Sequence, residues 1–233
     1  MTDRRTEIET GLTTVRDRIE DACSAAGRSS EEITLVVVTK FFPAGDVRLL
    51  ADLGVRDVGE NRHQEAVDKA AECADLDVRW HFIGGLQSNK AAAVAAYADV
   101  VHSVDRAKLV NGLGRGALER GRDLDCLVQV SLDPPDASGR SGCDPAEVPD
   151  LVEQIVESEG LRLCGVMGVA PLDGDPDEAF SRLAETASVV RAQVPDATWI
   201  SAGMSGDLEH AIRHGATHLR IGSAVLGPRP VVK

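Results

Sequence analysis

Lys40 closes the run ITLVVVTK at residues 33–40 and is followed by Phe41, Phe42 and Pro43. Ile33 to Thr39 are apolar or β-branched, the composition of a strand buried on both faces. An amine delivered by such a strand has two readings. It can snorkel into solvent at the rim, with its methylene stem packed on apolar neighbours. In a partly desolvated mouth it loses its proton more readily and becomes a nucleophile able to form a Schiff base with an aldehyde. The aldehyde cofactor that suits such an amine is pyridoxal 5′-phosphate (PLP), which also requires a cradle for its phosphate and a partner for its pyridine nitrogen.

Two stretches supply the halves of a cradle. In ISAGMSGDLEHAI (200–212), Gly203 to Gly206 precede a helix with Asp207 and Glu209 in its first turn. Backbone N–H groups and the Ser205 hydroxyl would converge there on an anion, unless Ser205 is an ordinary N-cap. In RIGSAVLG (220–227), Gly222 permits close backbone approach and Ser223 adds a second hydroxyl. Arg220 shares the in-or-out parity of Gly222 along a strand, so it points the same way. A buried arginine needs an acceptor; a pyridine nitrogen is one, an acidic neighbour another.

Two other patterns are set aside. GLGRGA (112–117) has the spacing of a dinucleotide fingerprint, with Asp133 further on, but its first glycine falls well past the end of the preceding strand. His210, His214 and His218 are spaced by four, yet the glutamate of an H-E-x-x-H motif is absent and His218 belongs to a different element.

Positioning these groups requires strands that end together. Apolar runs predict strands at 33–40, 56–61, 78–84, 99–105, 124–133, 161–170, 198–204 and 217–227. Between them, 43–54, 88–97, 106–121, 145–159, 176–194 and 206–215 read as helices, with Gly54, Gly121, Gly160 and Gly215 at their ends. The alternation points to a parallel (β/α)8 TIM barrel, with an open doubly wound sheet as the alternative. In a barrel, Lys40, Asn61, the Gly84-Gly85 turn, Ser205 and Gly222 gather at the C-terminal ends of the strands, where barrel chemistry sits. Ile8, Leu12, Val15, Ile19 and Cys23 predict an amphipathic leading helix within residues 1–27, ended by Gly27. DPPDASGRSGCDP (133–145) reads as a loop over one face.

Composition narrows the partners. The net charge of −13 repels phosphate backbones and anionic lipid, which argues against nucleic-acid and membrane-surface roles. Five widely spaced cysteines without a CxxC pair argue against a disulfide framework or a zinc site and fit a reducing cytoplasm. The N-terminus lacks the apolar core of a signal peptide.

Taken in order, VVVTKFFP around Lys40, GEN (59–61), WHFIGGLQSNK (80–90), SAGMSGDLEHAI (201–212) and RIGSAVLG (220–227) resemble the YggS/PROSC family of pyridoxal phosphate homeostasis proteins, from the first strand to the C-terminus. The resemblance implies a single barrel domain over 1–233 of the alanine-racemase N-terminal-domain type (PLP fold type III). It implies Lys40 as the Schiff-base lysine and Asn61 as a residue near the cofactor. Ser205, Gly222 and Ser223 become phosphate contacts, and Arg220 faces the ring nitrogen. It further implies a protein that buffers PLP or delivers it to apoenzymes without an established reaction of its own. Phe42 stands where the family often has a second lysine, and Arg140 where a lysine is often seen; Arg62 and His63 follow GEN in place of commoner side chains. These departures leave cofactor binding intact and weaken any transfer mechanism built on those lysines.

Two other functions remain open to the sequence. One is a PLP-dependent amino-acid racemase, which needs a second proton-transfer group; the only tyrosine is Tyr97, after the third strand. The other is a barrel for a different phosphorylated metabolite, with Lys40 as a simple charge partner.

Overall fold

The computed structural model describes residues 3–133 and 141–228. Eight parallel strands pair in chain order and close into a barrel. They are β1 (Thr34–Val38), β2 (Asp57–Glu60), β3 (Arg79–Phe82), β4 (Val100–Val104), β5 (Leu124–Gln129), β6 (Leu161–Met167), β7 (Trp199–Ser201) and β8 (His218–Ile221). Closure is made by β1 against β8, with Val36 opposite Arg220 and Val37 opposite Ile221. The barrel is therefore the architecture, and the open sheet is excluded.

The helices are α1 (Arg4–Ala25), α2 (Ala44–Asp52), α3 (His63–Glu72), α4 (Ala91–Ala95), α5 (Ala107–Arg120), α6 (Val148–Glu157), α7 (Pro176–Gln193), α8 (Leu208–Arg213) and α9 (Ser223–Leu226). The main core lies between barrel and helices. Val37, Val58, Val101 and Val166 from the strands meet Leu50, Leu113, Ile155 and Leu183 from the helices, all fully buried. Inside the barrel a smaller apolar cluster of Val100, Leu127 and Met167 fills one part of the lumen.

Helix α1 buries Ile8, Leu12, Val15, Ile19 and Cys23, the stripe expected from the sequence. It crosses α9 at Gly11, where a Cβ would stand 2.4 Å from the Val225 carbonyl oxygen. The glycines of GLGRGA lie inside α5. Side chains there would collide with Ala91 at Gly112, Ser158 at Gly114 and Ala92 at Gly116, so these glycines serve helix packing.

Three expectations need correction. The segment 217–227 is not one strand: β8 stops at Ile221, one residue short of Gly222, because β1 offers no pairing partner beyond Val37, and residues 223–226 wind into α9. For the same reason β5, β6 and β7 end earlier than 133, 170 and 204. Helix α3 went unforeseen, since its buried face consists of only Ala66 and Lys69 and shows no apolar period. Arg140 lies outside the described residues. No helix among those described is long and apolar enough to cross a membrane.

Candidate functional site

The C-terminal ends of β1, β7 and β8 surround a cavity of about 280 Å³. Lys40, Ser205, Arg220, Gly222 and Ser223 all line it, together with Gly206 and the apolar side chains of Val38, Phe42, Ile83 and Met204. Five of the six residues expected to form the site are thus brought together. Asn61 is not among the lining residues; it follows β2, half-buried, with its carbonyl packed so closely on Gly84 that a Cβ there would lie 2.1 Å from the oxygen.

Lys40 is held by its neighbours. Phe41 adopts φ of +72°, the left-handed region, which costs a bulky residue on the order of 1–3 kcal/mol and persists only where surroundings impose it. What imposes it is a buried knot. Glu65 Oε1 accepts the Phe41 N–H at 2.5 Å, and the Lys69 ammonium donates to Glu65 Oε1 (3.0 Å), Glu60 Oε1 (2.5 Å) and the Thr39 carbonyl (2.9 Å). Thr39 Oγ1 donates to Glu60 at 2.6 Å. Residues on both sides of Lys40 are clamped, so the amine leaves β1 in one direction. Burial pushes the Glu60 carboxyl up, and the Lys69 charge pulls it back.

On the opposite wall, α8 takes Asp207 as its N-cap, and the Asp207 carboxylate accepts the Met204 N–H at 2.6 Å. Ser205 is therefore not the cap, which removes the plain structural reading of that residue. A Cβ at Gly206 would meet nothing within 4 Å, so its backbone stands open to the cavity. Gly222 packs tightly instead: a Cβ there would lie 3.2 Å from the Val38 carbonyl oxygen. The loop bearing Ser205 and helix α9, which begins at Ser223, are both tied to α1. Arg18 donates to the Ser205 carbonyl (3.1 Å) and to Glu209 (2.7 Å), while Arg4 donates to the Leu226 carbonyl (3.1 Å) and to Asp46 (2.6 Å).

Arg220 is buried inside the barrel and donates to Ser201 Oγ (2.7 Å) and to the Gly168 carbonyl (2.9 Å). It binds a hydroxyl and a carbonyl in place of the acidic neighbour the sequence also allowed. Burial pushes its pKa down to about 10, which leaves it a cation at neutral pH. Sequence reasoning missed Ser201 and the two buried histidines behind it, His102 and His81. Their positions on separate strands carry no spacing signal.

The two patterns set aside on sequence grounds stay outside the cavity. His210 and His214 face Asp177 on α7, and His218 lies within the barrel. Tyr97 stacks on His63, with ring centroids 5.8 Å apart, and does not line the cavity.

Over residues 12–230 the sequence matches the alanine racemase N-terminal domain family. The barrel is of that class. The chain is 47% identical to the pyridoxal phosphate homeostasis protein of Mycobacterium tuberculosis H37Rv, covering 97% of this chain and 95% of that protein. It is 36% identical to the protein of the same name from Escherichia coli K12, over 97% and 99%. Among solved structures, PipY of Synechococcus elongatus with PLP bound superposes with a TM-score of 0.82 at 34% identity, covering 94% of this chain and 100% of that one. An alanine racemase from Clostridium difficile, at 14% identity and a TM-score of 0.71, covers 97% of this chain and 57% of that one; it shares the fold. The chain belongs to the pyridoxal phosphate homeostasis protein family.

Proposed function

We propose that this protein binds PLP covalently through Lys40 and acts in the cytoplasm as a holder of the cofactor, buffering it or delivering it to apoenzymes. Residues 1–233 act as one domain in this role. The observation that carries the reading is a single cavity in which an amine, two hydroxyls with an open glycine backbone, and a buried guanidinium occupy different walls. The volume lies near the lower end of the roughly 300–1,000 Å³ of small-molecule sites. The names of the relatives and the PLP bound to PipY support the same assignment.

Bound PLP supplies an aldehyde and an electron-withdrawing ring. Lys40 contributes the amine that captures the aldehyde. The Ser205 and Ser223 hydroxyls and the Gly206 backbone hold the phosphate. Arg220 can only donate, so it keeps a facing ring nitrogen unprotonated and weakens the ring as an electron sink.

A yellow protein whose absorbance is bleached by borohydride, with the label on the Lys40 peptide, is the expected result. Failure to label would leave Lys40 as a charge partner for some other phosphorylated metabolite. Ser205→Ala and Ser223→Ala are each expected to weaken PLP binding about ten- to a hundredfold, the loss of one hydrogen bond to a charged group. Binding of unphosphorylated pyridoxal should barely change; equal losses for both would place the phosphate elsewhere.

Racemase chemistry needs a second proton-transfer group at the cavity, and Tyr97 does not reach it. Incubation with L-alanine in deuterated water is expected to give no α-deuterium exchange beyond that of free PLP. Multiple-turnover exchange that disappears in Lys40→Ala would restore the enzyme reading.

A further inference from the structure

Behind Arg220 runs a continuous hydrogen-bonded chain across five strands. Arg220 Nη1 lies 2.7 Å from Ser201 Oγ, and Ser201 Oγ lies 2.9 Å from His102 Nδ1. His102 Nε2 lies 2.8 Å from His81 Nδ1, and His81 Nε2 lies 2.8 Å from Asp57 Oδ1. Asp57 is the first residue of β2, at the N-terminal end of the barrel, where its side chain keeps 18% of its surface exposed. The other four groups are buried.

The two ends dictate where every proton sits. A guanidinium only donates and a carboxylate only accepts. Ser201 accepts from Arg220, which leaves its own proton available to His102 Nδ1. His102 must then carry its proton on Nε2 and give it to His81 Nδ1. His81 in turn carries its proton on Nε2 and gives it to Asp57. Starting from Asp57 and working back yields the same order, so the two ends agree.

Charge is consistent with this order. Burial holds both histidines below their ordinary pKa, as neutral rings. Burial works to raise the Asp57 carboxyl, but the hydrogen bond from His81, with the Arg79 cation alongside, outweighs it and keeps Asp57 a carboxylate. The neighbouring part of the lumen is filled by Val100, Leu127 and Met167, so polar groups are not required merely to fill space. A buried polar network stabilises a single arrangement only when every member is satisfied, and here each link has its partner.

We propose that Asp57, His81, His102 and Ser201 are positioning residues, forming a directed relay from the N-terminal end of the barrel that fixes the rotation of the Arg220 guanidinium and the N–H groups it turns toward the cavity. The effect on a bound ring nitrogen rests on the function proposed above; the proton order does not.

The experiment uses the protein without PLP, labelled with nitrogen-15. Long-range nitrogen–proton correlation spectra are expected to show His81 and His102 as neutral rings protonated on Nε2. An Nδ1-protonated ring or an imidazolium at either position overturns the relay. In His102→Leu, which alters no direct contact of Arg220, exchange of the Arg220 guanidinium protons with water is expected to rise, by less than the roughly ten- to hundredfold that losing a direct hydrogen bond to a charged group would give. Should that variant not fold, Ser201→Ala makes the same measurement with a smaller change; unaltered exchange in the folded variant refutes the positioning role. With PLP added, Ser201→Ala should also shift the absorption maximum of the borohydride-reducible adduct, and an unshifted band refutes the link to the cofactor. If wild type forms no adduct at all, the proposed function fails, while the two magnetic-resonance readouts still decide the relay.

Discussion

Lys40→Ala should retain the wild-type fold and yet gain no mass after incubation with PLP and reduction by borohydride, where wild type gains one retained cofactor. Lys40 lies beyond the last paired residue of β1 and outside the packed core, so its truncation removes little buried apolar area. The covalent signal, by contrast, should fall to background because the nearest alternative is already committed. The Lys69 amine is buried and already committed to two carboxylates and a carbonyl. Intact mass spectrometry reads the adduct and a thermal melt reads the fold. An adduct that persists in the variant would assign the aldehyde to another amine and remove Lys40 from the proposal.

Lys69→Met carries the second large effect, this time on stability. Removing one partner from a buried ion pair typically costs about 3–5 kcal/mol, because the remaining charge stays in a low-dielectric site. Two carboxylates are left behind here. Glu60 would have to take up a proton or draw in water, and Glu65 would lose the cation that holds it under Phe41. Urea unfolding should register the loss as a lower midpoint. The left-handed turn at Phe41 should also relax, so the surviving folded protein would capture PLP more slowly. A change below about 1 kcal/mol, the scale of an exposed pair, would show that the knot is solvated.

Much of this arrangement is legible in the sequence. The alternation of apolar runs with helical segments indicates eight strands and hence the barrel, and the strand-terminal position of Lys40 follows from the same pattern. The loops bearing Ser205 and Ser223 are legible because a short stretch of chain holds glycine, hydroxyl and helix start together. Strand ends are less so, since where a strand stops depends on how far its neighbours continue to pair. The knot and the relay are invisible for a related reason. Glu60 reads as part of the second strand, Glu65 and Lys69 fall in a segment with no apolar period, and Asp57, His81, His102, Ser201 and Arg220 meet only because five strands bring one side each to the lumen. Asn61 shows the converse: a motif can match while the side chain stands outside the cavity that the rest of the site lines.

The bonds from α1 to the Ser205 and Leu226 carbonyls join residues 187 and 222 positions apart, and β1 pairs with β8 across nearly as long a separation. Contacts of such range form late, because the loop they close must first be ordered. During synthesis the ribosome releases Lys40 early, while the hydroxyls that would hold a phosphate emerge near the end. A growing chain thus displays a lysine with no anchor beside it and has no means of retaining a reactive aldehyde there. If Lys40 holds PLP as proposed, capture would become possible only when the first helix and the last strand meet, and loading with cofactor would report that the barrel has closed.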